Sequence, residues 1–125
     1  MIKRVVSISK TLLAISMLVL LAGCAGSKSV PFTIQSDPLG GHIAMQVVSS
    51  EKDSSADWIY LGKTPIDVKR QISNRQLKKA EAFRIKVFKN GFHDQIRDWN
   101  GDEIKAEIEE RGSVYWNPKL VPVGG

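Results

Sequence analysis

Phe83, Arg84, Ile85, Lys86, Val87 and Phe88, followed by Lys89, Asn90, Gly91 and Phe92, decide how this chain is read. Phe83, Ile85 and Val87 alternate with Arg84 and Lys86. A period of two sends one face into a core and the other into water, as in a half-buried strand. Asn90 and Gly91 accept positive φ, so a hairpin turn is expected there, with a partner strand over residues 92–99. A two-residue turn sets Ile85 opposite Ile96 but also Arg84 opposite Arg97. A three-residue turn with a glycine bulge sets Phe88 opposite Phe92 and Lys86 opposite Asp94, which replaces a like-charge pair by an aromatic pair and an opposite-charge pair. The bulged register is therefore expected.

The flanking segments continue the same period. Pro31 suits the first position of a strand, and Phe32, Thr33, Ile34 and Gln35 alternate after it. Asp37, Pro38, Leu39 and Gly40 match a type I turn, and Gly41 allows close backbone approach. Ile43, Met45 and Val47 then return, so residues 32–48 are expected to form an antiparallel hairpin. The polar run of residues 49–57 ends it, and residues 50–55 within that run are a candidate contact loop for a partner. Trp58, Ile59, Tyr60 and Leu61 favour a strand stopped by Gly62; Lys63, Thr64 and Pro65 make a second turn, and Ile66, Val68 and Ile72 resume the alternation.

Ser73 with Gln76 spells a capping box that would open a short helix over residues 75–80, although the thin apolar content reads equally as a solvated loop. Asp102 as N-cap, Ile104 and Ile108 one turn apart, Lys105 with Glu109, and Gly112 at the end predict a helix over residues 103–111. Ile104, Ala106 and Ile108 also alternate as a strand does. Val114, Tyr115 and Trp116, then Leu120 and Val121 before Pro122, read as a closing edge strand in which Pro118 is tolerated. The expected fold is mainly β, a small antiparallel β-sandwich of about six strands with one or two short helices.

Three groups of turn residues stand in order along this pattern: Ser36, Asp37, Pro38, Leu39, Gly40, Gly41; then Leu61, Gly62, Lys63, Thr64, Pro65; then Val87, Phe88, Lys89, Asn90, Gly91, Phe92. Together they resemble the PEGA domain. That family shows an opening strand, a serine, proline, glycine, alanine turn, a glycine, threonine, proline step, and a late glycine followed by an aromatic. The resemblance is clearest over residues 32–99 of a β domain taken as residues 32–122. It departs from the family at Gly41, where alanine is usual, in the longer polar loop of residues 49–57, and after Trp99, where it has no clear counterpart. It implies a module of cell-surface and envelope proteins used for attachment or recognition, without catalysis or cofactor. In such a module Pro38, Gly40, Gly41, Gly62, Thr64, Pro65, Asn90, Gly91 and Phe92 shape the turns.

The start of the chain obeys different rules. Lys3, Arg4 and Lys10 precede the apolar run of residues 12–21, which is too short to span a bilayer. Leu21, Ala22, Gly23 and Cys24 follow, and they resemble the lipobox of bacterial lipoproteins. The resemblance implies that residues 1–23 are a signal peptide, that Cys24 is lipidated, and that residues 24–31 hold the lipidated cysteine and a tether, polar over residues 25–29. Several acyl chains, at about 0.8 kcal/mol per buried methylene, make such an anchor effectively permanent. Ala25 in place of aspartate implies the outer membrane of a two-membrane envelope.

Charge and composition narrow the remaining classes. Hydrophobic residues make up 42% and charged residues 25% of the 125 positions, so a packed core is within reach. The single cysteine excludes a disulfide within the chain and any zinc site built on two thiolates. Loss of Lys3, Arg4 and Lys10 with the signal leaves 15 basic residues against 13 acidic ones, and the charge falls from +5 to +2. The basic residues are dispersed and no base-reading motif is present, so no nucleic-acid partner is expected. His42 and His93 fall in different expected hairpins, and no nucleophile, base and acid stand in a recognisable motif.

Asp98, Asn100, Asp102 and Glu109 fall at calcium-loop positions, but Glu103 stands where the loop needs glycine, so no metal is expected. Trp58, Tyr60 and Trp99 are the candidate aromatic binding surface, with Tyr115 and Trp116 as further rings. The expected function is a membrane-anchored, non-catalytic module contacting an envelope protein or a cell-wall polysaccharide. The alternatives are a passive spacer or assembly subunit, and a metal-dependent or hydrolytic enzyme whose site assembles only in space.

Overall fold

Phe83, Ile85 and Val87 are completely buried, while Arg84, Lys86 and Phe88 stand in the opposite phase of the same strand. This is the alternation that their spacing demands. The computed structural model describes residues 26–49 and 57–124. The signal, Cys24 and the loop of residues 50–55 thus lie outside the described residues. The elements in chain order are β1 (Ser27–Ile34), β2 (His42–Ser49), β3 (Ile59–Lys63), β4 (Ile66–Ser73), α1 (Asn74–Lys79), β5 (Ala80–Phe88), β6 (Gln95–Trp99), α2 (Gly101–Arg111) and β7 (Val114–Trp116). The chain is mainly β. One sheet has the order β4-β1-β7 and the other β3-β2-β5-β6.

The core lies between the sheets and under α2. Val30, Phe32 and Ile34 of β1 share a cluster with Ile43 and Met45 of β2, Phe83, Ile85 and Val87 of β5, Trp99 of β6 and Ile104 of α2. Each such side chain taken fully from water contributes about 1.5–3 kcal/mol.

Strand pairing departs from the expected hairpin of residues 32–48. β1 pairs antiparallel with β4, from Ser27 opposite Ser73 to Ile34 opposite Ile66, whereas β2 pairs with β3 and β5. β1 and β2 therefore belong to different sheets, and the chain crosses between them. Alternation reports which face of a strand is buried and carries no information on which neighbour it pairs with. The expected type I turn does not close. Its closing amide, Gly40 N–H, donates to the Thr64 carbonyl at 3.1 Å, and the Asp37 backbone bonds to Pro118 and Leu120.

β1 begins at Ser27, inside the expected tether, and Pro31 sits opposite Lys69 rather than at the strand's start. Ser27 and Ser29 bury no side chain, so the backbone ladder to β4, helped by Ser27 Oγ donating to Gln71 Oε1 at 3.4 Å, makes them a strand. β3 runs through Gly62 to Lys63, with a register shift in its partner between Ile43 and Ala44. Gly62 carries φ +131°, and a Cβ there would stand 2.8 Å from Ile66 Cδ1. β7 pairs parallel with β1, Phe32 opposite Val114, so the smaller sheet is mixed rather than wholly antiparallel.

The hairpin after β5 takes neither expected register. Arg84 faces Asp98, Lys86 faces Ile96 and Val87 faces Gln95. A tight turn does form, with Phe92 N–H donating to Lys89 C=O at 3.0 Å, but the next residues leave the ladder. His93 N–H bonds to Val121 C=O at 2.8 Å, and Val123 N–H bonds to Gly91 C=O at 2.9 Å. Competition from this distant segment widens the loop and shifts β6.

Both helices form. Ser73 and Gln76 make the reciprocal capping box of α1. α2 starts earlier than expected, with Asn100 rather than Asp102 as N-cap: Asn100 Oδ1 accepts from Glu103 N–H at 2.8 Å, and Glu103 Oε1 accepts from Asn100 N–H at 3.2 Å. Gly112, in the left-handed region at φ +79°, ends it.

Candidate binding face

The registers of the larger sheet dictate what its outer face carries. His42 lies beside Phe88, Ala44 beside Lys86 and Gln46 beside Arg84 on β2 and β5. β3 adds Tyr60 beside Ala44, and β6 adds Ile96 beside Lys86 and Asp98 beside Arg84. Tyr60, His42 and Phe88 thereby form a band of rings across three strands. The His42 ring stacks on Phe88 with centroids 5.2 Å apart and meets Tyr60 at 5.8 Å, and His42 Nδ1 lies 2.9 Å from the Tyr60 hydroxyl. Lys86 Nζ sits 4.5 Å from the Trp58 ring centre and 5.3 Å from that of Phe88, a cation over two aromatic faces.

This band remains open to solvent. Tyr60 is 57% exposed, Trp58 38% and Ile96 55%. At the end of the band a cleft of about 470 Å³ is lined by His42, Phe88, Lys89, Asn90, Phe92 and Asp94. Such a lining combines apolar ring faces with donors and acceptors of both charges, which suits a ligand that is part apolar and part hydroxylated or amide-bearing. Beside the band, Arg84 and Asp98 form a two-pronged ion pair, Nε to Oδ1 at 2.9 Å and Nη2 to Oδ2 at 3.0 Å. The hydrogen bond first, and the charge of Asp98 second, hold the Arg84 pKa above its ordinary value.

No family model matches the chain, and no curated protein or solved structure matches it.

Trp99 does not belong to the aromatic surface. It is 1% exposed and packs edge-on against Trp116 at 5.8 Å, with the Arg97 guanidinium 4.7 Å from its ring centre. Its position opposite Phe83, an inward residue, sends it into the core. His42 and Phe88 replace it on the outer face. Parity was the available signal for Phe88, which stands in phase with Arg84 and Lys86.

Gly62 lies in β3 and Pro65 in the step to β4, and the other turn residues divide between two places. Asn90, Gly91 and Phe92 border the cleft. Pro38, Gly40, Gly41 and Thr64 meet at the crossing between the sheets. Ser36 Oγ donates to Pro38 C=O at 2.7 Å and lies 2.6 Å from Thr64 Oγ1, which accepts from the amides of Gly40 and Gly41, each at 3.0 Å. With Ser36 donating to Pro38, the Thr64 hydroxyl donates to Ser36 and keeps both lone pairs for the glycine amides. This buried network is fully satisfied and serves the fold. Gly41 is also confined by packing, since a Cβ there would lie 2.8 Å from Val87 Cγ1.

His42 and Asp94 share the cleft, but His93 is not among its lining residues. Of the calcium-like spacing, Asp98 holds Arg84 and Asn100 caps α2. Among the described residues no group of three or more His, Cys, Asp or Glu is placed to hold a metal ion, and no helix is long and apolar enough to cross a membrane.

Proposed function

We propose that this chain is a membrane-anchored lipoprotein of the bacterial envelope, of the outer membrane by its Ala25, whose PEGA-like β module binds a protein or cell-wall polysaccharide partner without catalysing a reaction. The open ring band of Trp58, Tyr60, His42 and Phe88, continuous with the cleft at Phe92 and Asp94, carries the binding half of this reading. Exposed rings grouped on one rigid sheet are what recognition surfaces use, since large aromatics bury much area at little entropic cost. The run of Leu21, Ala22, Gly23 and Cys24 supports the anchor.

The two halves are related by topology. Gly26 C=O accepts from Asn74 N–H at 3.0 Å, so β1 is entered at the α1 end of the sandwich. The cleft follows Phe88 at the other end of β5, whose nine residues span roughly 30 Å. An anchor at Cys24 would hold the cleft well away from the bilayer.

Cys24→Ser is expected to abolish incorporation of labelled palmitate and to leave an unprocessed precursor; normal maturation of the variant would sink the anchor. For the binding half, the lipidated protein is solubilised from membranes and tested for co-purifying envelope proteins and for retention on cell-wall polysaccharide. Tyr60→Ala combined with Phe88→Ala is expected to lower recovery of the partner by roughly tenfold or more. Equal recovery by the parent and this variant would overturn the ring band as the binding face. Absence of any partner from both preparations would leave a passive spacer.

A further inference from the structure

The α1 end of the sandwich has a charge character of its own. α1 exposes Arg75, Lys78 and Lys79 and carries no acidic residue, while Leu77 is buried and fixes how the helix sits. Lys28 and Lys105 extend this basic surface along the flank, where they border a shallow groove with Leu77, Ile104 and Ile108. Asp102 and Glu109 are the acids on that flank. Glu81 and Glu103 lie instead toward the outer face of the larger sheet, in a depression shared with Arg84 and Asp98. Among the described residues, Arg75, Lys78, Lys79, Lys28 and Lys105 therefore outnumber Asp102 and Glu109 around the point where the chain emerges.

We infer that this end of the module lies against an anionic lipid surface, with Arg75, Lys78 and Lys79 of α1 in contact with the headgroups. The inference rests on the reading of Cys24 as the lipid anchor. Cys24 precedes Gly26 by two residues, so their Cα atoms are at most about 7 Å apart. A tether that short keeps α1 at the headgroup layer, where lysine and arginine are attracted to anionic lipid within about a Debye length. A lipid surface is favoured over a soluble acidic partner because covalent attachment already places the basic end beside the bilayer. The ring band and cleft then face away from the membrane.

The full-length lipidated protein is reconstituted into vesicles of phosphatidylcholine alone and of phosphatidylcholine mixed with phosphatidylglycerol. Amide hydrogen exchange is then followed over Asn74–Lys79. Exchange is expected to be roughly fivefold slower on the anionic vesicles, with the difference lost at high ionic strength. It should also be lost in a variant carrying Arg75→Gln, Lys78→Gln and Lys79→Gln, changes that keep helix-forming residues. Flotation of the protein with both vesicles but equal exchange on them would overturn the inference and leave the anchor standing. Failure to float with phosphatidylcholine vesicles would remove the anchor, and this inference with it. Protection of α1 by a soluble acidic polypeptide, but not by anionic vesicles, would overturn it in favour of a protein partner.

Discussion

Gly101→Ala is expected to destabilise the fold by about 3 kcal/mol, against the direction this exchange takes in an ordinary helix. Replacing glycine by alanine within a helix normally stabilises by about 1 kcal/mol, because alanine loses less backbone freedom on folding. Gly101 opens α2, yet it is buried, and a Cβ placed on it would stand 1.8 Å from the Leu77 carbonyl oxygen and 2.9 Å from the Leu77 carbonyl carbon. The obstacle is backbone rather than the end of a flexible side chain. α1 cannot simply step back, because the Ser73 and Gln76 capping box holds its start and Leu77 is seated in the core. Overpacking of this kind typically costs about 1–3 kcal/mol and sometimes more. Urea unfolding monitored by circular dichroism reads the effect. A midpoint equal to or above that of the parent would show that the helices do not meet at this glycine.

The second large effect separates two tryptophans that look equivalent in the sequence. Trp99→Ala is expected to destabilise by about 3–5 kcal/mol, the range for truncating a large aromatic in a core. Trp58→Ala should cost less than about 1 kcal/mol, as exposed substitutions do. Trp99 is among the largest fully buried side chains and packs against Trp116, whereas Trp58 lies on the open face under Lys86. The same pair of variants in the partner assay should show the reverse order of effects among molecules that remain folded. Similar unfolding midpoints for the two would undo the assignment of Trp99 to the core.

These cases show where one-dimensional reading succeeds. Period-two alternation located the stretches from which β1, β2, β4 and β5 are built, because a side chain's face follows from its own parity. The capping box at Ser73 and Gln76 was equally legible, since both partners lie within one turn. The sequence leaves the N-cap of α2 open by two residues because Asn100 and Asp102 are both good caps locally. Glu103 reciprocates only to Asn100, and the missing Cβ of Gly101 lets α2 begin against Leu77.

The ring chemistry of Trp58, Tyr60 and Trp99 is legible in the sequence, but not which ring faces out: Trp58 and Tyr60 are exposed, whereas Trp99 turns into the core. The stacking of His42 on Phe88 is not legible in the sequence because it depends on β2 lying beside β5, two strands far apart in the chain. The Arg84 and Asp98 pair is hidden from the sequence for a related reason. Its register depends on residues 121–123 drawing the hairpin loop out of the ladder.

By itself the amino-acid order determined the β class, the buried parity of the main strands, both helices' capacity to form, and the lipobox-like run ending at Cys24. Tertiary structure alone decided that β1 and β2 part into separate sheets, that β7 runs parallel to β1, and that Trp99 goes inward while His42 joins Tyr60 and Phe88 outside. The physical reason is one of range: face, cap and turn preferences are set by neighbours a few residues away, whereas pairing and register are set by which distant backbone wins each ladder of hydrogen bonds.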